Sequence, residues 1–401
     1  MKLPDGYPRL GLLAGAVLWV VWAISCLLGP AILDLNGQVI GTDHTAFHTA
    51  AVLIGEGRGD ALFDYPRLPI FQARQEEITG KPGFLDPYRN PPFYALLYRP
   101  TAGLPYLASY AVWAVIGVTI LAAGLWLIHG AGVVRPLLWS VCFYPAFATV
   151  SFGQNTFLSL GIFALVFSAV VSEHRFLAGL AAGLLLYKPQ LLLGLGIWWL
   201  IDVRRYWPAI LGGSVTAGVL AAVSWLLLPS ETAEWVRRLP DIAAYDRFEF
   251  YNLHTPRGFS YLLTGDKRIG DVFGLVGLLL AVAWLVRFRL RHGGDARLVF
   301  AAAVLATLWG SPHTMTYEWA LLIIPAVVLW DTQVELRGEW LALFAVAWVA
   351  LFVSTPLTKA QLGLFGHAIQ TSVPVLAWVA LRADRLLERR GPSPFRAAAG
   401  R

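Results

Sequence analysis

Long apolar runs separated by short polar breaks dominate this chain. Along its length they predict twelve spans, at 11–33, 106–128, 137–150, 156–172, 176–187, 190–201, 207–228, 271–287, 298–310, 318–330, 339–353 and 367–382. A straight spanning helix needs roughly 20 apolar residues. Several runs are shorter, and only Lys188-Pro189 divides the fifth from the sixth, so about 11–12 transmembrane helices are expected. Two long polar segments interrupt the series, 34–105 and 229–270. In the first, 44–54 is apolar enough for a short helix lying along the membrane interface, and 66–79 suits a second with Pro66 in its first turn. Residues 86–92, DPYRNPP, carry three prolines and require extended backbone. The pattern predicts one all-α integral membrane domain over 1–401.

Composition agrees. Hydrophobic residues make up 57% of the chain and charged residues 14%, where a soluble domain carries about 25%. The net charge of +6 is dispersed between the spans and forms no basic patch, which argues against a nucleic-acid partner. Cys26 and Cys142 both lie inside apolar runs, so neither a structural disulfide nor a thiolate metal site is expected. The first run follows Lys2 and Arg9 and is too long for the apolar core of a signal peptide, so it reads as a retained anchor.

Charge also predicts orientation. With the N-terminus cytoplasmic, the inside segments hold 17 Lys and Arg, whereas the short outside loops hold two, Lys188 and Lys359. Long loops cross regardless of charge and are left out. Both termini are therefore expected in the cytoplasm of a bacterium, the spans in its cytoplasmic membrane, and 34–105 and 229–270 outside.

The polar stretches then all fall on the outer side. Asp43 sits in 41–48, just past the first span; an Asp ahead of an apolar stretch is most often a helix cap, and it is also a carboxylate at a membrane surface. His44 and His48 beside it can donate hydrogen bonds. Lys188 interrupts 176–201, 26 residues otherwise free of charge, and a lysine at membrane depth is costly enough to mark a site or a turn at the surface. The amides of Gln154, Asn155 and Gln190 suit a phosphate or a sugar hydroxyl. In 311–318 a proline frees the backbone, so that His313, Tyr317 and Glu318 can line a cavity. Arg89, His254 and Arg257 place positive charge on the long loops. No zinc spacing, phosphate-binding glycine loop or nucleophile elbow is present, so no cofactor is expected, while a catalytic metal is left open without a supporting motif.

These stretches together resemble glycosyltransferase family 87, polyprenyl-phosphate-sugar-dependent enzymes of the GT-C fold. The resemblance rests on GTDHTAFHTAAVLIGEG (41–57), ALFDY (61–65), PYRNPPFYALLYRPTAGLP (87–105), GQN (153–155), LLLYKPQLLL (184–193) and SPHTMTYEWALLI (311–323). It implies inverting transfer of a sugar, mannose in the founding case, from a lipid phosphate to a lipid or glycan hydroxyl outside the cytoplasmic membrane. It implies Asp43 as general base, His313 in the same cavity, and Lys188 and Arg89 on the phosphate, with Arg257 as a further cation. His44, Gln154, Asn155, Gln190, His254, Tyr317 and Glu318 are the expected substrate contacts. The physical requirement is consistent: phosphate leaves without a general acid, so one base and several cations suffice. The rival reading is a transporter or lipid flippase, with Lys188-Pro189 as a broken-helix binding site.

Overall fold

The computed structural model describes residues 7–244 and 249–389. Lys2, Arg390, Arg396 and Arg401 of the charge count lie outside the described residues, as do both chain ends and 245–248 of the second long segment. Among the described residues there is no strand, and the only β pairing is two isolated bridges, Leu33 with Val39 and Leu253 with Met315.

Helix α1 (Tyr7–Leu28) leads into the first long segment, which holds α2 (His44–Gly55), α3 (Pro69–Thr79) and α4 (Pro92–Tyr98). Next come α5 (Tyr106–His129), α6 (Val134–Val141), α7 (Tyr144–Ser151), α8 (Thr156–Val171), α9 (Arg175–Gly183), α10 (Leu193–Ile201) and α11 (Val203–Leu227). The second long segment contains α12 (Pro229–Ala244) and α13 (Pro256–Thr264). The chain closes with α14 (Lys267–His292), α15 (Ala296–Gly310), α16 (Ile323–Thr332), α17 (Arg337–Phe365) and α18 (Ser372–Glu388).

Five helical stretches are long and apolar enough to cross a bilayer: Arg9–Leu28, Tyr106–His129, Val203–Leu227, Lys267–His292 and Val334–Phe365. They expose rows of large apolar side chains, among them Leu13, Val17 and Val20 on α1 and Val272, Leu275 and Leu279 on α14. Apolar surface on that scale needs lipid rather than water around it. The other expected spans fall on shorter pieces. Thr156–Val171, Arg175–Tyr187, Pro189–Ile201 and Ala296–Gly310 are apolar helices of intermediate length. The run 137–150 is broken at Cys142-Phe143 between α6 and α7, and 318–330 begins in the 3-10 turn Thr316–Leu322 before α16. The run 367–382 falls on α18, which starts at Ser372.

The short helices are apolar because they are interior. Helix α15 buries Leu298 to Ala303 without a break, and Phe300 meets Phe163 and Phe167 of α8 edge-on, with ring centres 6.2 and 5.4 Å apart. Helices α9 and α11 cross with backbones in contact: a Cβ on Gly179 would sit 1.8 Å from the Ala209 carbonyl oxygen.

Helix α2 forms where expected but is enclosed. Nine of its residues, His44 to Ala51 and Leu53, are buried, so it lies inside the protein wall. Helix α3 starts three residues later than expected, with Pro69 rather than Pro66 in its first turn. Residues 84–91 are irregular, as the prolines demand.

Candidate active site

Asp43 precedes α2, yet its carboxylate makes no capping hydrogen bond, and its own backbone is already helical at φ −76°, ψ −19°. The loop around it is pinned from elsewhere. The Tyr106 hydroxyl donates to the carbonyls of Ile40 and Gly41 at 2.8 and 2.7 Å, and the Asp43 N–H donates to the Phe152 carbonyl at 2.7 Å. That last bond docks the loop on the GQN turn. Gly153 has φ +70°, and a Cβ there would meet the Cβ of His44 at 2.7 Å, so the turn requires glycine. The turn aims Gln154 at the carboxylate, and its Nε2 donates to Asp43 Oδ2 at 2.7 Å.

The other end of that amide accepts from Lys188 Nζ at 3.3 Å. Lys188 stands between two 3-10 turns, Leu184–Tyr187 and Pro189–Leu192, at φ −137°, ψ 72°. Pro189 explains the break, since a residue before proline is pushed out of the helical region. The ammonium is 3.2 Å from Glu318 Oε1 and 5.2 Å from the centre of the Tyr317 ring. Glu318 is 2% exposed, and its other oxygen accepts the Met315 N–H at 2.9 Å. Four side chains from four separate stretches thus form one run: Asp43, Gln154, Lys188, Glu318. An ammonium has three donors, so one remains for a ligand.

The proline turn joins the same cluster. Asn90 donates to the Tyr187 carbonyl at 2.8 Å, tying 88–92 to the residue before Lys188. Trp235 of α12 donates to the Arg89 carbonyl at 3.4 Å. Burial raises the Asp43 carboxyl to about 6, although the Gln154 bond and the Lys188 and Arg89 charges pull it down. Burial lowers the His313 imidazole to about 3, with Arg89, Lys188 and Arg257 adding to the effect. His313 is therefore neutral at pH 7. Burial, then Asp43, Glu318 and Asp86, holds the Tyr317 hydroxyl well above its ordinary value. The reciprocal effects bring Asp43, Arg89, Lys188, His313, Tyr317 and Glu318 into one electrostatic neighbourhood.

The remaining expected residues are placed differently. The His44 ring is buried among Tyr98, Tyr106 and Tyr110 and meets Ser109 Oγ at 3.1 Å; burial first, then His48, lowers it to about 3. His254 is fully buried, with both ring nitrogens spent on Ser372 and Thr355 at 2.7 and 3.2 Å. It knits α17 to α18 and is not brought to the cluster. Arg257 is paired with Asp271 at 2.7 Å. Gln190 is half-buried on the turn after Lys188. Asn155 is 6% exposed, and its side chain stands beside the Tyr98 hydroxyl. It and Gln154 line a cavity of about 40 Å³ between α5 and α8, walled by Tyr98, Tyr110, Trp113, Gly117 and Phe157.

Sequence reasoning missed one group. Asp86 lies in the electrostatic reach of both Asp43 and Arg89. Its only local signal was the Asp-Pro dipeptide, which speaks of backbone and says nothing of where the carboxyl goes. Among the described residues, no three of His, Cys, Asp and Glu are grouped as a metal site.

A family model for glycosyltransferase family 87 matches residues 88–325, from the proline turn through Lys188 and Glu318 to α16. A helical membrane protein with this match is a membrane glycosyltransferase of GT-C type, which retires the carrier reading. Two curated relatives agree. The polyprenol-phosphate-mannose-dependent alpha-(1-2)-phosphatidylinositol pentamannoside mannosyltransferase of Mycolicibacterium smegmatis is 26% identical over 90% of this chain and 88% of its own length. The alpha-(1->3)-arabinofuranosyltransferase of Corynebacterium glutamicum is 26% identical over 83% and 77%. No solved structure matches significantly. The chain belongs to glycosyltransferase family 87. Asp43 lies ahead of the matched residues.

Proposed function

We propose that the chain transfers a sugar, with inversion, from a polyprenyl monophosphate to a lipid or glycan hydroxyl at the outer face of the cytoplasmic membrane. The observation that carries the reading is the run from Asp43 through Gln154 to Lys188, a base and a cation set a fixed distance apart. The acceptor oxygen attacks the anomeric carbon from the face opposite the phosphate. The bond from that carbon to the phosphate oxygen breaks, its electron pair leaves with the phosphate, and the acceptor proton passes to Asp43. Lys188 and Arg89 offset the charge gathering on the leaving phosphate. Mannose is favoured as the sugar, because the mannosyltransferase aligns over more of the chain than the arabinofuranosyltransferase.

Purified protein given labelled polyprenyl-phosphate mannose and a membrane lipid extract is expected to yield a mannosylated product. Activity on polyprenyl-phosphate arabinofuranose alone would change the sugar, and activity on neither would sink the reading. The rate should follow the ionised fraction of Asp43. It holds above about pH 7 and falls through about pH 6, with roughly a tenth left at pH 5. The same rise, from 3.8 to about 6, means that ionisation opposes folding. That contribution to stability is present below pH 3.8 and lost as pH rises through 6.

The charge bias supports the orientation, and labelling tests it. Cysteines at exposed Asn36 and Pro82 should react with impermeant thiol reagents from outside, and cysteines at exposed Ser172 and Gly294 should not. The opposite pattern would put the cluster in the cytoplasm.

A further inference from the structure

The break at Pro189 deprives one main-chain carbonyl of its helical partner. Pro189 pushes Lys188 out of the helical region. The Leu191 N–H, which a continuous helix would aim at the Tyr187 carbonyl, goes instead to the Lys188 carbonyl at 2.9 Å. Tyr187 is 4% exposed, and a carbonyl left there without a donor is costly. The donor comes from the proline turn, where the half-buried Asn90 gives its Nδ2–H to the Tyr187 carbonyl at 2.8 Å.

Both sides of that bond are stiff. The Tyr187 ring lies flat on Tyr94 of α4, with centres 4.4 Å apart and planes 4° apart, and its hydroxyl meets Ser159 Oγ of α8 at 2.7 Å. On the proline turn, Tyr65 and Tyr88 donate to the carbonyls of Tyr88 and Pro91 at 3.0 and 2.9 Å. Trp235 holds the Arg89 carbonyl from α12, and Pro91 disfavours helical backbone at Asn90. Asn90 is therefore a strut between two braced segments.

Lys188 starts at the next peptide. Its own N–H donates to the Leu185 carbonyl at 2.8 Å, and its ammonium is caught between Gln154 Oε1 and Glu318 Oε1 at 3.3 and 3.2 Å. Two other stretches thus fix the tip of the side chain, and Asn90 fixes its root. With two of the three ammonium donors spent, the direction of the third depends on where the root stands.

We propose that Asn90 is the positioning residue of Lys188, setting the main chain from which the ammonium meets the donor phosphate. The phosphate contact rests on the transfer reading above, whereas the hold on Lys188 can be tested without a donor. An aspartate could not serve, because it would set an oxygen against the Tyr187 carbonyl and has no N–H to give.

The test is a double-mutant cycle of Asn90→Ala with Lys188→Ala, read in donor affinity and melting temperature. Asn90→Ala should weaken binding of polyprenyl-phosphate mannose about tenfold. In the Lys188→Ala background no ammonium is left to place, and the same change should weaken binding by less than about twofold. An asparagine with a merely structural role would cost the same in both backgrounds, whatever it did to the melting temperature. With no donor present, reductive methylation of Lys188, followed by peptide mass, should run severalfold faster in Asn90→Ala than in wild type. Should Asn90→Ala fail to fold, Asn90→Gln takes its place in both measurements; it keeps the amide but sets it one methylene further out, and should shift both readouts in the same direction. Equal losses of affinity in the two backgrounds, or methylation at the wild-type rate, would each overturn the proposal. Faster methylation in a protein whose wild type binds no donor would instead overturn the transfer reading and leave Asn90 as the anchor of Lys188.

Discussion

Replacing Asp43 by Asn is expected to lower sugar transfer by roughly 10²–10⁴-fold, the usual loss when a general base is removed. The structure makes this substitution clean. The Asp43 side chain caps nothing, so the helix start should not notice the change. An asparagine oxygen still accepts the Gln154 donor now at 2.7 Å, and the loop is pinned by backbone bonds from Tyr106 and Phe152 that the side chain does not share. What goes is the ability to take the acceptor proton. Donor binding by titration should therefore stay near wild type while product formation, read by mass, collapses. The melting temperature at neutral pH should not fall, because the amide carries none of the charge whose ionisation opposes folding. Near-normal turnover in Asp43→Asn would remove the base from the proposed mechanism, whatever else in the site survived.

Lys188→Ala should fail for two separable reasons. It removes a charge-assisted contact to the donor phosphate, for a loss of about 10–100-fold in donor affinity. It also strands Glu318, 2% exposed, as a buried carboxylate without its cation, which costs about 3–5 kcal/mol of stability. Combining Lys188→Ala with Glu318→Gln separates the two. The glutamine carries no charge and keeps an oxygen for the Met315 N–H, so melting temperature should largely return while donor affinity does not. Lys188→Arg should restore affinity only in part, because a planar fork does not fill the place of a compact ammonium. If the double variant binds donor as wild type does, Lys188 serves only to neutralise Glu318.

Much of this architecture could be read from local pattern because the membrane imposes it locally. Five long stretches had to be apolar to cross lipid, and Pro189 had to break whatever helix held Lys188. Periodicity could not distinguish a helix buried by lipid from one buried by protein. Hence α15, wrapped by other helices, looked like any other span, and α2, expected on the membrane surface, is enclosed. The site was half legible. Lysine in an uncharged run and amides beside glycine are locally odd residues, and oddness can be seen in one dimension. His254 was odd too, but its partners Ser372 and Thr355 lie more than a hundred residues away and spend it on packing. Asp86 was hidden for the converse reason. Nothing next to it in sequence is unusual for a proline turn, and its fixing depends on Gln75 in a different helix.

Gln154 also serves as an insulator. A carboxylate and an ammonium on neighbouring loops would ordinarily close into an ion pair. Here an uncharged amide stands in the gap, 2.7 Å from one and 3.3 Å from the other, and satisfies both without conducting charge between them. Because an amide does not titrate, the spacing survives any pH at which the fold survives. Lys188 is paired with Glu318 at 3.2 Å instead, so Gln154 keeps the Asp43 carboxylate apart from that ion pair. On the proposed reading, a sugar phosphate would bridge the gap that Gln154 holds open, with its reactive carbon between Asp43 and Lys188.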